Sequence, residues 1–304
     1  MGELKEYLKS SKNIVEIYDG IKRKWYSLIT IFSPVLNTKL RYKSVYGRKL
    51  NLNNPETLVE KLLWLKLYNY NSNPLVIKCA DKVAVREYVT ECGYGNLLND
   101  IYGVYSNPKD IPWDELPEKF VIKWNFGAGY NYICKSKSTE NHKEVLSKLK
   151  KWGKIKYWLP HSEMQYKYIP KKLLCEHYLE DKDMPGVIPD YKVYCFNGVA
   201  RAILVMHDRG SQMKTEFFDT NWNSLKNTDK YSKVKKSTLK PKCLQEMLQA
   251  SEKLSKPFPF VRCDFYIVNN KLYFGEMTFT PAGGLYVSQT DIDGKSMAEF
   301  LNIK

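Results

Sequence analysis

Four polar residues interrupt two short apolar runs near the end of the chain, in FVRCDFYIVNNKLYFGEMTF, residues 260–279. Arg262 and Asp264 lie two apart in the first run, and Glu276 and Thr278 lie two apart in the second. Residues two apart in a β-strand point to the same face, so each run would present a polar pair on one face of a sheet. Carboxylates that meet there would suit a hard divalent cation such as Mg²⁺, which takes oxygen ligands.

Whether the two acids meet depends on the turn between the runs. A two-residue turn at Asn269-Asn270 would set Asp264 opposite Gly275 and send Glu276 to the other face. A three-residue connection, Asn269 to Lys271, would set Asp264 opposite Glu276, and a β-bulge would also bring them together. We predict the three-residue connection.

The facing acids would then need compensation. Two bare charges at about 4 Å repel by roughly 4 kcal/mol at an effective dielectric of about 20. A cation between Asp264 and Glu276, or a proton on one of them, would relieve this repulsion. The alternative is one exposed acid and one acid paired with Arg262.

Phosphate-binding chemistry is indicated upstream. In VIKWNFGAGY, Lys123 ends an apolar run just before Gly127-Ala128-Gly129. A flexible glycine loop offers backbone N–H groups to a phosphate, and a lysine adds a positive charge. In PDYKVYCFNG, Asp190 and Lys192 share one face of a predicted strand. They could hold ribose and phosphate, or they could mark the wet face of a sheet. Arg209 could be a further anion clamp or a loop arginine.

Composition bounds the class of protein. The 304 residues are 43% hydrophobic and 14% aromatic, which excludes a disordered chain. Lysine and arginine outnumber acids by 48 to 33, a net charge of +15 that favours anionic partners. Most aromatic residues fall in apolar runs, where a core role is expected, so we expect no nucleic-acid partner. Seven cysteines without paired spacing and no apparent signal peptide predict reduced thiols in the cytoplasm.

One basic segment could contact a membrane. In IKRKWYSLITIFSPVLNTKLRYK, residues 21–43, a 12-residue apolar middle from Trp25 to Leu36 is flanked by lysines and arginines. It is too short to cross a bilayer, but it would suit the interface of an anionic membrane. Alternatively, it is a helix that docks on the protein's own body. We therefore keep peripheral contact at the inner face of the plasma membrane as an alternative to a purely cytoplasmic protein.

The remaining elements place these residues on an α+β scaffold. NNPETLVEKLLWLKLYN predicts a helix capped by Asn53 or Asn54, and ADKVAVREYVTECGYG predicts one capped by Asp81 and ended by Gly93. FVIKWNFGAGYNYIC predicts a strand, glycine turn and strand, and a helix capped by Ser138 or Thr139 follows. KLLCEHYLED predicts a strand, Asn197-Gly198 a hairpin turn, and residues 241–256 a helix. Expected regions are a basic N-terminal segment (1–50), a mainly helical domain (51–115) and two strand-containing regions (116–180 and 181–304).

The order of these motifs along the chain is similar to that of the ATP-grasp superfamily, and most closely resembles the TupA-like ATP-grasp proteins of bacterial surface-polysaccharide clusters. The resemblance is carried by NNPETLVEKLLWLKLY, ADKVAVREYV, FVIKWNFGAG, DYKVYCFNG, FPFVRCDFY and LYFGEMTFTPAGG. It covers the chain from Asn51 to near the end and leaves residues 1–50 without a counterpart. It implies an ATP-grasp fold, with the nucleotide between two antiparallel β-sheets and a helical N-terminal region. Residues 116–180 would then be the lid subdomain with the glycine loop, and residues 181–304 the C-terminal subdomain with the metal site.

The resemblance also implies roles for individual residues. Lys123, Gly127, Ala128 and Gly129 would hold the ATP phosphates, Glu176, Tyr178 and Leu179 would line the adenine, Asp190 would hold the ribose and Lys192 a phosphate. Asp264 and Glu276 would carry Mg²⁺, with Thr278 where the superfamily usually has asparagine. That neutral hydroxyl on a short arm puts a second metal ion in doubt. The expected catalytic residues are Arg262, Arg209 and Lys192.

The activity that this resemblance implies is an ATP-dependent carboxylate–amine ligase that works through an acyl phosphate. It would act in surface polysaccharide or capsule biosynthesis and join an amino acid to a sugar or sugar acid on a small-molecule or lipid-linked glycan. The alternatives are a relative that only binds nucleotide and a metal-dependent glycosyltransferase that uses a nucleotide sugar. The latter is suggested by the spaced acids Asp181-Lys182-Asp183 and Asp291-Ile292-Asp293.

Overall fold

The computed structural model describes residues 12–182, 188–207, 214–226 and 238–303, with side chains from Tyr18 onward. Arg209 and Asp183, which the sequence singled out, lie outside these residues. Within them, no helix is long and apolar enough to cross a membrane. The expected α+β class is confirmed, because N-terminal helices precede two antiparallel sheets.

Helices occupy most of the first hundred residues. Two long helices, α1 (Lys12–Phe32) and α2 (Pro34–Tyr46), form a pair joined at Ser33, whose hydroxyl caps α2 by accepting from the Leu36 amide. Three shorter helices follow: α3 (Leu58–Trp64), α4 (Pro74–Ala80) and α5 (Val85–Glu91). Later helices are α6 (His142–Gly153), α7 (Trp158–His161) and α8 (Leu244–Ser255).

A four-stranded sheet has the order β1-β4-β2-β3. Its strands are β1 (Ile101–Tyr105), β2 (Phe120–Trp124), β3 (Asn131–Cys134) and β4 (Leu173–His177), and every neighbouring pair is antiparallel. The predicted strand, glycine turn and strand of residues 120–134 is confirmed as β2 and β3. Below, this is called the small sheet.

A six-stranded sheet has the order β10-β9-β5-β6-β7-β8 and is also antiparallel. Its strands are β5 (Asp190–Phe196), β6 (Val199–His207), β7 (Lys214–Phe218), β8 (Ser224–Leu225), β9 (Phe260–Val268) and β10 (Lys271–Thr278). The hairpin at Asn197-Gly198 is confirmed, since both residues take positive φ between β5 and β6. Below, this is called the large sheet. A short pair, β11 (Asp291–Ile292) and β12 (Lys295–Ser296), follows it.

The large sheet is central because α8 packs on it. Met247, Ala250 and Leu254 of α8 are each fully buried, and the helix contacts β5, β6 and β9. Strand β5 lies between β9 and β6 and is buried along its whole length. A strand covered on both faces should be apolar throughout, so the buried polar residues Asp190 and Lys192 need a reason other than exposure to water.

The turn prediction at the end of β9 is wrong. The structure has the two-residue turn, with Asn269 and Asn270 at φ of 51° and 62°, so that Val268 pairs with Lys271. Positive φ at both central residues is what a tight hairpin requires, and asparagine tolerates it. A bulge at Gly275 then shifts the register, and Glu276 pairs with Asp264 after all. A Cβ at position 275 would lie 2.9 Å from the Asp264 carbonyl oxygen, so glycine allows this bulge.

Two helix caps also differ from the prediction. Helix α3 begins later than expected, after Thr57, which forms a reciprocal capping box with Glu60. Helix α6 is capped by Asn141 rather than by Ser138 or Thr139, because Asn141 Oδ1 accepts from the amides of Lys143 and Glu144. Asp81 does cap the turn that leads into α5, accepting from the amide of Val83 at 2.8 Å, and Gly93 follows its end with φ of 90°.

Candidate active site

The polar residues of the large sheet form two adjacent rows across β5, β9 and β10. One row is Lys192, Asp264 and Glu276, and the other is Tyr194, Arg262 and Thr278. Because paired residues on neighbouring strands point to the same side, the bulge at Gly275 is what brings Glu276 into the first row. We call Lys192, Arg262, Asp264, Glu276 and Thr278 the sheet cluster.

Asp264 is the hub of the sheet cluster. Its side chain is 3% exposed, and Arg262 donates to it twice, from Nε at 2.7 Å and from Nη2 at 2.6 Å. Lys192 Nζ donates to Oδ2 at 2.6 Å. Burial alone would raise the pKa of Asp264, but the charges of Arg262 and Lys192 outweigh burial and lower it. For Arg262, the effect of Asp264 overcomes the opposing effect of burial and raises the guanidinium pKa.

Thr278 links Arg262 to the second acid. Arg262 Nη2 donates to the Thr278 hydroxyl at 3.3 Å, and that hydroxyl donates to Glu276 Oε1 at 3.3 Å. The side chain of Glu276 is 36% exposed, so it faces the open side of the cluster. The contacts therefore match the alternative that the sequence left open, in which one acid is paired with Arg262 and the other is more exposed. The two acids are nevertheless direct neighbours across β9 and β10.

The sheet cluster suits a hard cation in part. Its acceptors are all oxygens, and a carboxylate has about four lone-pair positions, of which Asp264 uses three. Glu276 keeps one oxygen with no close contact other than Lys82. The described residues contain no group of three or more His, Cys, Asp or Glu that could bind a metal, so Thr278 or ligand oxygens would have to complete the shell.

Lys82 is a cation that sequence reasoning missed. It lies in the turn between α4 and α5, and its Nζ is 3.7 Å from Glu276 Oε2 and donates to the Gly127 carbonyl. Burial lowers the pKa of Lys82, Glu276 raises it, and the lysine at 123 lowers it further. The only sequence signal was its position after the capping Asp81 in ADKVAVREYV. Its partners lie far along the chain, so spacing could not identify them.

The glycine loop is anchored to this same turn. The Lys82 amide donates to the Asn125 carbonyl at 3.0 Å, and Asn125 Nδ2 donates to Asp81 Oδ1 at 2.8 Å. Gly127 and Gly129 have φ of 63° and 87°, and a Cβ on Gly127 would strike the ring of Tyr157. Hydrogen bonds to Asn125 thus fix the start of the predicted loop, and contacts with Lys82 and Tyr157 fix its first glycine, Gly127.

On the small sheet, Lys123 of β2 forms an ion pair with Glu176 of β4. Both line a cavity of about 110 Å³, together with Lys82, Ala128, Gly129 and Glu276. Both also line a larger neighbouring cavity of about 360 Å³, whose wall includes Tyr178, Leu179, Ile188 and Met206. Tyr266 of β9 lines both cavities, so the cleft has the small sheet on one side and the large sheet on the other.

The structure thus brings most of the predicted residues to one cleft or beside it. Lys123, Ala128, Gly129, Glu176, Tyr178, Leu179 and Glu276 line the cavities, and Arg262, Asp264 and Thr278 lie behind Glu276 in the sheet cluster with Lys192. Asp190 is 1% exposed, pairs with Tyr266 in the sheet and lines neither cavity. Residues that sequence reasoning did not single out, Arg86, Asn99 and Asn131, complete the wall.

The spaced acids behind the glycosyltransferase alternative have other surroundings. Asp181 is 6% exposed and accepts from the Asn269 amide at 2.7 Å, which supports the β9–β10 turn. Asp291 is exposed on the short β11–β12 pair. Neither Asp181 nor Asp291 lines the two cavities of the cleft.

Comparison with known proteins identifies the family. The family model described as TupA-like ATPgrasp matches residues 60–300. This chain belongs to the TupA-like ATP-grasp family. The expected recognition of the family is confirmed. The match leaves out α1 and α2, which the sequence had also left without a counterpart.

Several solved ATP-grasp structures are similar to part of the chain. D-alanine–D-alanine ligase from Bacillus anthracis is 16% identical, with a TM-score of 0.41 over 67% of this chain and 59% of that chain. The same ligase from Helicobacter pylori is 18% identical, with a TM-score of 0.38 over 69% and 56%. L-amino acid ligase from Bacillus licheniformis is 11% identical, with a TM-score of 0.40 over 67% and 41%. This TupA-like ATP-grasp chain therefore spans less than two thirds of each ligase, and no curated sequence matches it significantly.

Proposed function

We propose that this protein is an ATP-dependent carboxylate–amine ligase, and that the cleft between the two sheets binds ATP with Mg²⁺. The carrying observation is the cleft's two-part character. Ile188 and Met206 add an apolar wall to the larger cavity alone, Lys82 lines the smaller cavity alone, and Leu179 and Lys123 border both. A nucleoside triphosphate has the same division, an aromatic base at one end and phosphates at the other.

In this proposal the base lies against Tyr178 and Leu179, and Lys82 and Lys123 hold phosphate oxygens. A ligand phosphate would compete with Glu176 for Lys123 and with Glu276 for Lys82, which would free both carboxylates for other partners. The glycine loop at Gly127 to Gly129 then closes over the phosphates as part of a lid formed by residues 116–180. Asp190, the neighbour of Tyr266 in the large sheet, would bind the ribose, as the family resemblance implies.

The sheet cluster is the proposed metal and reaction site. Glu276 and the remaining lone pair of Asp264, with Thr278 nearby, would hold Mg²⁺, which supplies charge neutralisation for the transferred phosphoryl group. Phosphoryl transfer depends mainly on positioning and electrostatic stabilisation. Arg262 is locked by Asp264 and Thr278, so its guanidinium is preorganised to stabilise negative charge on an acyl phosphate. A closed cleft would keep water from that intermediate.

The substrates proposed for this site are an amino acid and a sugar or sugar acid, joined by an amide during assembly of a surface polysaccharide. This part rests on the family resemblance. The net charge of +15 supports it to the extent that the acceptor carries phosphate or carboxylate groups. Arg209 stays a candidate for binding such an anion, outside the described residues.

An ADP-release assay over pairs of amino acids with uronic acids or amino sugars tests the ligase. Glu276→Gln should lower turnover by about two orders of magnitude or more, because it removes the charge of a proposed metal ligand. Glu87→Gln, on the exposed face of α5, is the matched control and should turn over as the wild type does.

A thermal-shift experiment separates this ligase from the glycosyltransferase alternative. Mg²⁺ with ATP should raise the melting temperature of the wild type, and nucleotide sugars should not. Stabilisation by a nucleotide sugar alone, or full turnover by Glu276→Gln, would contradict the proposal.

A further inference from the structure

The first two helices contact the body through apolar side chains, such as Tyr42 of α2, and also through a buried polar contact. Thr30 of α1 is 1% exposed, and its hydroxyl lies 2.9 Å from the hydroxyl of Ser162. Asn37 of α2 is fully buried and donates to the same Ser162 hydroxyl at 2.9 Å. Such buried polar contacts fix the orientation of α1, because a rotation would leave these groups without partners.

The outward face of α1 is apolar. Tyr18, Ile21, Trp25, Leu28 and Phe32 are 63%, 63%, 60%, 55% and 87% exposed. Their spacing of three and four residues puts them on one stripe of the helix. At 3.6 residues per turn, this stripe lies nearly opposite Tyr26 and Thr30, the two buried residues of α1. The helix therefore buries its polar contact and presents its large hydrophobic side chains to solvent, which is the reverse of an ordinary surface helix. We call these five residues the outer stripe.

Basic residues border the outer stripe. Lys22 and Lys24 are both exposed, and on an α-helix they project on opposite sides of the stripe. Helix α2 continues the pattern, since Leu36 and Leu40 are 49% and 39% exposed beside the exposed Lys39 and Lys43.

Arg41 does not belong to this basic border, although its sequence position suggested it. Its guanidinium lies 4.8 Å from the ring centroid of Tyr26, and burial lowers its pKa. It lies between α1 and α2. One face of these helices thus docks on the protein's own body, which is one of the two alternatives for residues 21–43, and the opposite face stays exposed.

We propose that the outer stripe docks α1 flat on an anionic lipid bilayer. Large apolar and aromatic side chains would enter the acyl boundary, and the bordering lysines would contact lipid phosphates. Trp25 and Tyr18 suit this position because their rings are apolar with one polar atom. The segment lies on the membrane and does not span it, in keeping with the absence of a spanning helix among the described residues.

Charge favours a lipid surface over a second copy of this chain. Two outer stripes packed together would bring the lysine borders of both copies close, and the chain as a whole carries +15. Juxtaposed like charges oppose association, whereas an anionic bilayer neutralises them. This inference does not depend on the proposed ligase activity, because α1 and α2 lie outside the matched family region.

Vesicle flotation with the full chain tests the proposal. The wild type should float with vesicles of phosphatidylcholine and phosphatidylglycerol, less so with phosphatidylcholine alone, and binding should weaken as salt increases. Trp25→Glu with Phe32→Glu should lower the partition coefficient by about tenfold or more, because it removes two apolar contacts and adds two negative charges.

Matched control variants distinguish loss of the outer stripe from the general effect of changing the charge of the protein. Tyr168→Glu with Leu239→Glu makes the same charge change at side chains that are 50% and 79% exposed elsewhere, and should float as the wild type does. Lys22→Gln with Lys24→Gln should reduce binding and its salt dependence, whereas Lys150→Gln with Lys151→Gln on α6 should not. Circular dichroism and melting temperature report whether each variant is folded.

Three results would overturn the proposal. They are failure of the wild type to float with anionic vesicles, equal flotation of the stripe variant and its control, and equal, salt-insensitive binding to both vesicle types. A wild type that is dimeric in lipid-free light scattering, with a monomeric stripe variant, would assign the surface to a second copy instead.

Discussion

Two buried acids in this protein have pKa values that are shifted in opposite directions. Asp264 in the sheet cluster is 2% exposed, and Glu163 is 3% exposed. The pKa of Asp264 is lowered, because Arg262 and Lys192 overcome the effect of burial. The pKa of Glu163 is raised, because burial outweighs its hydrogen bond from the Thr280 hydroxyl at 2.6 Å and the charge of Lys66. At equal burial, the charged form is therefore stabilised in Asp264 and disfavoured in Glu163.

The surroundings of Glu163 form a second polar cluster, made of Lys66, His161, Glu163, Gln165 and Thr280, which we call the helix-contact cluster. Lys66 is 1% exposed and donates to the backbone carbonyls of His161 and Gly283 at 2.9 and 3.1 Å. Among the described residues, His161 Nδ1 and Gln165 Oε1 are buried without a hydrogen-bond partner. This cluster ties the segment after α3, residues 65–69, to α7 and to the loop after β10.

The difference in charge and contacts indicates which of the two clusters is suited to bind ligands. In the sheet cluster, charges are matched by direct contacts and one acid faces the cleft, so an incoming metal or phosphate can exchange with existing partners. In the helix-contact cluster, dipoles and backbone carbonyls hold the groups, and burial favours neutral forms. A buried charge that is retained in spite of its desolvation cost is a better sign of function than a buried polar group alone.

The largest effect that separates the clusters is expected from Asp264→Asn compared with Glu163→Gln. Asp264→Asn leaves Arg262 and Lys192 without their counter-charge and should cost about 3–5 kcal/mol of unfolding free energy. Glu163→Gln removes a carboxylate whose charged form burial already disfavours, so it should cost less, about 1 kcal/mol. Urea denaturation of both variants at about pH 6 measures the contrast. Equal losses would mean that partners do not distinguish the two sites.

A smaller effect is expected from Gly275→Ala, which sharpens the role of the bulge. The new Cβ would lie 2.9 Å from the Asp264 carbonyl oxygen and 3.0 Å from the Tyr266 ring, and such overpacking costs about 1–3 kcal/mol. Gly20→Ala in α1 meets no atom within 4 Å and should stabilise the helix by up to about 1 kcal/mol.

Nucleotide binding shows whether Gly275→Ala changes the candidate site itself or only the overall stability of the protein. Gly275→Ala should weaken the thermal shift by Mg²⁺ and ATP even at a temperature where the variant is fully folded, because the bulge orients Glu276. An unchanged shift would show that the bulge does not position the site.

Much of the fold followed from local patterns. The strands around Lys123 and Asp264, the hairpin at Asn197-Gly198 and the end of α5 at Gly93 are confirmed, because apolar alternation and turn residues act over short distances. The prediction for the β9–β10 turn was wrong because it overlooked the bulge at Gly275, which depends on the space beside the facing backbone. A glycine in a strand is a weak signal for a bulge. The sequence alone therefore did not decide between a three-residue connection and a two-residue turn followed by a bulge.

Parts of the candidate site were less accessible to sequence reasoning. Lys82 meets the cleft only because Asn125 and Asp81 join two loops that are distant in the chain. The helix-contact cluster was missed altogether, since Glu163 and Lys66 stand in unrelated segments and become neighbours through tertiary packing. Charge compensation between distant segments leaves no spacing pattern.

The smallest effect concerns pH and the helix-contact cluster. Burial, with the charges of Arg41 and Lys66, lowers the pKa of His161 from 6.5 to about 3. The unfolded state therefore binds a proton that the folded state does not, and stability should fall as the pH falls below 6.5. Glu163 acts with the opposite sign, because its raised pKa makes the folded state bind the extra proton above pH 4.5.

Glu163→Gln is therefore the proper background for this test. It should lose about 1.5 kcal/mol through His161 between about pH 6.5 and about pH 5, and adding His161→Gln should reduce that dependence. Any remainder is expected from Lys66, because burial lowers its pKa to about 7 and Glu163, which opposes this shift, is absent. A pH dependence that the histidine change does not reduce would contradict the assignment to His161.

Calorimetric titration with ATP, with and without Mg²⁺, tests the central claim most directly, that the cleft between the sheets binds this nucleotide. We predict saturable binding by the wild type that Mg²⁺ strengthens, and affinity about tenfold or more weaker in Lys82→Met and Lys123→Met. Lys150→Met, on the exposed face of α6, should bind as the wild type does. Wild-type affinity in both cleft variants, or no binding by the folded wild type, would contradict the account.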